Sequence, residues 1–192
     1  MRHALTLVFL LALSCVAICQ SKPWPRLDSL VSAPGQRLDQ AGLSPAELKV
    51  LRATLGKLSK GSGCQNENIQ TCGAPEGLFL AKLKISTNGH AAFVVRSQAA
   101  CGTLGCPFWF IDTSSAGLVL IDDFGWGYRI LPSQSHGYFD IVTAAGNHEV
   151  SLKMWSYDGH TYKVIRCGIT EATDEPGVKS PIAEHICPSS TP

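Results

Sequence analysis

Apolar positions follow three different rhythms along the 192-residue chain. From Ala4 to Ile18 they are almost continuous, broken by Thr6, Ser14 and Cys15, behind a short basic start at Arg2. That pattern reads as a secretory signal peptide over residues 1–19. The run is short of the roughly 20 apolar residues that cross a bilayer comfortably. Residues 20–42 lose any rhythm and carry Pro23, Pro25, Pro34 and Gly35, the composition of an exposed, flexible leader in which Trp24 is the one aromatic group. Helical spacing then appears at Leu48, Leu51, Leu55 and Leu58. Ser44 is placed as an N-cap, Pro45 as the first helical residue, and Glu47 closes a capping box, with Leu43 and Leu48 at the staple positions. The expected helix covers about 44–60.

Past Gly63 the period drops to two. Candidate strands are 78–86, 91–97, 107–112, 117–124, 127–131, 138–144, 149–157 and 161–166. Turn residues separate them: Asn88-Gly89, Ser115-Ala116-Gly117, Gly146-Asn147 and Asp158-Gly159, the last a two-residue hairpin signal. Strands this close cannot be joined by crossover helices, so they pair antiparallel. The expected fold is mainly β: a meander, sandwich or small barrel of about eight short strands, preceded by one amphipathic helix. The helix and strands form a single domain, 43–168. A polar tail, 169–192, follows, loose by composition unless Cys187 pins it.

Charge narrows the range of partners. Sixteen basic residues face fifteen acidic ones, and loss of 1–19 removes only Arg2. A mature chain near neutrality is a poor match for nucleic acid or an anionic membrane surface. No second apolar run of spanning length follows, so the chain is not expected to cross a membrane once the signal is removed.

Cysteine usage is the strongest chemical signal. Cys15 and Cys19 lie inside the expected signal. The other six form close couples, Cys64 with Cys72, Cys101 with Cys106 and Cys167 with Cys187. An even set behind an export signal reads as a disulfide framework, with 15 connectivities open in principle. This places the protein in a secreted or periplasmic compartment. Lipid anchoring is the alternative, because Cys15 and Cys19 sit near the expected cleavage point, but their flanking residues match a lipidation signal poorly. Cys101 and Cys106 have four residues between them and precede a strand. A redox dithiol has two and sits at a helix N-terminus, so a structural clamp is expected here.

Catalytic signatures are scarce. There is no Gly-x-Ser-x-Gly elbow, no phosphate loop and no dinucleotide fingerprint, so no cofactor is expected. Asp122 and Asp123 are adjacent and point to opposite faces of a strand, a poor carboxylate pair for hydrolysis. No histidine couple has metal spacing, so no metal site is assigned. His136, Asp140, His148 and Glu149 sit at ends of adjacent expected strands, where they form the candidate acid–base cluster. The Gly125-Trp126-Gly127-Tyr128 stretch, with Tyr138, is the candidate aromatic binding surface, because flanking glycines leave the Trp in a turn or bulge.

Four segments resemble a group of exported bacterial proteins of unknown function: Cys101 to Trp109, Gly125 to Pro132, His136 to Thr143 and Trp155 to Cys167. The resemblance covers roughly 78–167 and implies a bacterial envelope protein without an assigned activity. Residues 133–143 also resemble the second half of the calcium-binding repeats of integrin-type (FG-GAP) propeller blades. Those carry acidic residues where Ser133 and Ser135 stand here, and only Asp140 remains, so calcium binding does not follow.

The function these features favour is a secreted or periplasmic, disulfide-stabilised binding module. Its partner would be a protein or a glycan of the cell envelope, and inhibition of an extracellular enzyme is one form of that role. Two other readings remain: an envelope hydrolase using the His136/Asp140/His148/Glu149 region, and a structural envelope component.

Overall fold

The computed structural model describes residues 22–31, 35–38, 40–61, 77–89, 91–98, 100–113, 117–172 and 181–187. Cys64 and Cys72 lie outside the described residues. Among the described residues, ten strands form two antiparallel five-stranded sheets, and each sheet is a meander. The first contains β1 (Gln36–Arg37), β2 (Leu78–Lys84), β3 (Ala91–Ser97), β4 (Cys106–Asp112) and β5 (Leu118–Gly125), in that order. The second runs, from its free edge, β10 (Ala183–His185), β9 (Tyr162–Glu171), β8 (Glu149–Tyr157), β7 (Tyr138–Gly146) and β6 (Gly127–Ser135). Of the expected architectures the structure selects the sandwich.

The two sheets are stitched at opposite corners. At one, Phe139 N donates to Ile85 O at 2.9 Å and Thr87 N to Gly137 O at 3.0 Å. At the other, the chain turns from β5 into β6 through Trp126, whose N donates to Ala144 O at 2.9 Å.

Four layers follow from which faces are apolar. Between the sheets, Val94, Phe108, Phe110 and Ile121 meet Tyr128, Ile141 and Tyr162. Phe110 and Tyr128 pack edge to face, with centroids 5.4 Å apart. The outer face of the first sheet is covered by α1 (Pro45–Gly61), which sets Leu51 and Leu55 on Leu80, Phe93, Val95, Trp109 and Ile111. Both faces of β3 and β4 are therefore buried, and this is why Phe108 to Ile111 reads as a continuous apolar run. The capping box forms as expected: Ser44 N donates to Glu47 Oε2 at 3.0 Å and Glu47 N to Ser44 Oγ at 3.2 Å. Lys82 Nζ adds an ion pair to Glu47 Oε1 at 2.9 Å.

The fourth layer departs from expectation. Residues 22–31 are not a free leader: Trp24, Leu27 and Leu30 pack on Leu131, Val142, Leu152 and Met154, on the outer face of the second sheet. A 3-10 turn (Leu27–Ser29) and a mutual backbone pair between Val31 and Tyr128 complete this strap. The physical reason is visible in β7 and β8. Val142, Ala144, Val150, Leu152 and Met154 leave an apolar face on the second sheet that no helix among the described residues covers. Gly168 lets the strap in, because a Cβ there would lie 3.3 Å from the Trp24 indole and 2.6 Å from Ile182 Cγ2.

Two smaller differences concern turns and the tail. Asp158-Gly159 is not a two-residue turn: Tyr157 pairs with Tyr162, and Asp158 Oδ1 instead accepts from the His160 and Thr161 amides at 2.8 Å each. The two-residue turn falls at His136-Gly137, with φ of +52° and +79°. The tail from Ala183 pairs with β9 and is pinned by the Cys167–Cys187 disulfide, the role expected for Cys187.

Candidate functional site

Two features that the sequence singles out separately come together in space. The Cys101–Cys106 disulfide closes its loop. Gly102 and Gly105 exchange backbone bonds of 2.7 and 3.2 Å across it, which puts Thr103 and Leu104 at the tip of a tight turn. Gly105, at φ +135°, lies directly on Gly125, the glycine before Trp126: a Cβ on Gly105 would collide with the carbonyl of Gly125. Gly125 in turn lies on Ala144 O, again with no room for a Cβ. Gly146 N, at the end of β7, donates to Leu104 O at 3.0 Å. The disulfide loop, the β5–β6 corner and the β7–β8 turn are thus knitted backbone to backbone. Side chains were excluded there because the strands approach too closely for them.

This corner displays apolar surface. Leu104 is 56% exposed and Phe124 38% exposed, whereas Cys106 and Gly105 beneath them are buried. A short loop held by a disulfide, two cross-loop bonds and one bond to the opposite sheet loses little conformational entropy on binding. Leu104 is therefore presented as a fixed apolar projection.

The expected aromatic surface is not one patch. Tyr128 is buried between the sheets against Phe110. Trp126 is half-buried and packs on the strap side of the second sheet. Tyr138 lies at the far end of the sandwich, stacked on Tyr157 with centroids 4.1 Å apart. Gly125 and Gly127 serve chain approach rather than exposure of the indole between them.

The expected acid–base cluster does not converge either. His136 occupies the turn before β7, and His148 and Glu149 follow its other end. Nine residues of β7, at about 3.3 Å each, separate the two ends by roughly 25–30 Å. His136 Nδ1 bonds Tyr157 O at 3.0 Å, and His148 and Glu149 are exposed. No group of three His, Cys, Asp or Glu side chains suited to a metal exists among the described residues.

Two polar arrangements escape the sequence reading. Asp123 is shielded from solvent. Its carboxylate accepts from Thr143 Oγ1 at 2.6 Å and Lys153 Nζ at 2.5 Å, and Trp155 Nε1 donates to Thr143 Oγ1 at 3.0 Å, which ties the sheets together at the knitted corner. Asp140, fully buried, accepts from Ser133 Oγ at 2.6 Å and pairs with Lys22 Nζ at 2.5 Å, beneath the strap. Burial raises the affinity of this carboxyl for protons, but the bonds from Lys22 and Ser133, with the Ser156 hydroxyl close by, outweigh burial and hold the group below the ordinary carboxylate range. The alternation Ser133-x-Ser135 opposite Asp140 was the available signal. Lys22, more than a hundred residues away, was not legible as its partner.

No helix among the described residues is long and apolar enough to cross a membrane. Comparison with family models, with curated proteins and with solved structures returned no match.

Proposed function

We propose that the protein is an exported, disulfide-stabilised binding module that engages a protein partner through the Cys101–Cys106 loop, with Leu104 as the anchor. One observation carries this reading: an exposed leucine stands on a loop whose backbone is fixed on every side, at the junction of both sheets. Interfaces concentrate their energy in a few rigid apolar anchors that enter a partner's pocket. Phe124, next to Gly125, extends the apolar surface beside it. Disulfides persist in oxidising compartments, which supports a secreted or periplasmic setting. A partner in the cell envelope or outside the cell fits that setting, and occlusion of an extracellular enzyme's apolar pocket is one outcome such an anchor can have. The hydrolase reading has no support in the geometry, because its four side chains lie at opposite ends of the second sheet.

The test is site-directed photo-crosslinking of the full chain in a native envelope fraction. A crosslinker at Thr103 should yield a discrete protein adduct that one at Lys57, on the solvent side of the helix, does not. Equal adducts from both positions, or adducts unaffected by Leu104→Asp, would sink the proposal.

A further inference from the structure

Asp140 lies at the end of the apolar outer face of the second sheet, with no exposed surface. Its two oxygens are treated unequally. Oδ2 accepts from both Lys22 Nζ and Ser133 Oγ, whereas Oδ1 has no hydrogen-bond partner among the described residues. Ser156 and Ser135, whose hydroxyls bond each other at 2.7 Å, line the same end of the sheet. An ammonium carries three donors. Lys22 reaches only one oxygen because its backbone is held elsewhere: its carbonyl accepts from Arg166 Nη1. The site is thus occupied by a tethered cation that does not saturate it.

The tether is held by a limited set of contacts, among them Arg129 Nη1 donating to Ser29 O at 3.1 Å. No residue of the 3-10 turn is buried, and Lys22 is 33% exposed, so solvent reaches its ammonium. Trp24 rests on Gly168 and over the Arg166 guanidinium at 4.8 Å, and its Nε1 donates to Glu184 at 3.2 Å. The Val31–Tyr128 pair is the strap's one ladder contact with the second sheet among the described residues. Segments with few buried contacts open well below the global unfolding free energy. Opening this one, however, would take the paired ammonium from Asp140 and cost that ion pair. A replacement cation at Asp140 therefore favours release of the strap.

We propose that Asp140, with Ser133 and Ser156, forms a site for a primary ammonium group, which Lys22 fills in cis and which the lysine side chain of an extended partner segment fills in trans, freeing the strap. An incoming ammonium without the backbone restraint of Lys22 can bond both carboxylate oxygens. This is what makes the exchange favourable.

Chemical rescue tests the proposal on the full chain, with ethylammonium chloride as probe and tetramethylammonium chloride, which has no N–H donor, at equal ionic strength. Lys22→Ala should melt lower than the wild type. Ethylammonium should restore about 3 °C in a saturable way beyond any effect of tetramethylammonium, as expected for a site filled about fivefold above its dissociation constant. The double variant Lys22→Ala/Asp140→Asn should show no such difference. An equal response of Lys22→Ala to both salts overturns the proposal. If that variant does not fold, amide exchange in the wild type decides. Ethylammonium should speed exchange at Val31 about fivefold over tetramethylammonium while core amides such as Val94 stay unchanged, and equal exchange in the two salts refutes the site.

Discussion

Gly105→Ala isolates the claim that the disulfide loop is locked to the corner. Gly105 has φ +135°, a region an L side chain rarely adopts. Holding alanine there costs about 1–3 kcal/mol. The new Cβ would also meet the C, O and Cα of Gly125, all backbone atoms that cannot rotate away. Forcing such overpacking costs about 1–3 kcal/mol more. The two together give about 2–6 kcal/mol, or roughly 5–20 °C in melting temperature for a chain of this size. Gly102→Ala is the matched control: the same substitution in the same loop, with no atom within 4 Å of the added Cβ and no positive φ. It should change stability by less than about 0.5 kcal/mol. Urea unfolding of both variants, compared by midpoint at constant slope, measures the difference. A gap of less than about 1 kcal/mol between them would show that the loop is not pressed against Gly125, and the fixed presentation of Leu104 would fall with it.

Other consequences are independent of that loop. Replacing Cys167 and Cys187 together with alanine opens a loop with a sequence separation of 20, which should remove about 3 kcal/mol from the urea-measured stability; an unchanged midpoint would show that β10 is held without the bond. Ser44→Ala should lose about 1 kcal/mol by the same assay, because it removes the acceptor for the Glu47 amide. Acid should weaken the fold through two carboxylates. Lys82 and Ser44 hold Glu47 down at about 2, and Asp140 is also held low. Each adds stability above the unfolded value of about 4 and loses it as the pH falls toward its folded value. Stability measured from pH 6 to pH 2 should therefore drop less steeply in Glu47→Gln and in Asp140→Asn than in the wild type, and identical slopes would contradict the assigned pairs.

Local signals in the chain proved sufficient for the helix and for most strands. The Ser44–Glu47 box and the leucine spacing are decided within one or two turns, and the structure carries both. The strands alternate where one face is dry and run apolar where α1 covers the other. What escaped depends on partners distant in sequence. The strap looks polar and proline-rich, yet Trp24, Leu27 and Leu30 suffice to cover a sheet face that only the folded β7 and β8 create. The sequence alone puts Gly125 in a turn or bulge that leaves Trp126 exposed, and gives Gly105 no role beyond the clamped loop. In fact each is glycine because another strand's backbone lies where its Cβ would be. Flanking glycines group Trp126 and Tyr128 with Tyr138 as one expected surface, whereas the sandwich distributes them: Tyr128 to the core, Tyr138 to one end, Trp126 to the strap side. His136 and His148 are only twelve positions apart in sequence. A fully extended β7 keeps them apart.

The most direct test of the account is the affinity of the crosslinked envelope partner for the wild type and for Leu104→Ala, read by calorimetry beside Leu118→Ala. Leu118 is 43% exposed but stands at the start of β5, outside the disulfide loop. If Leu104 anchors the interface, its truncation weakens binding about 30-fold, as expected for a hot spot of roughly 2 kcal/mol. Leu118→Ala should then stay within about twofold, and both variants should melt like the wild type. Loss of less than about threefold on Leu104→Ala, or equal losses at the two leucines, would contradict the claim that this loop is the binding element.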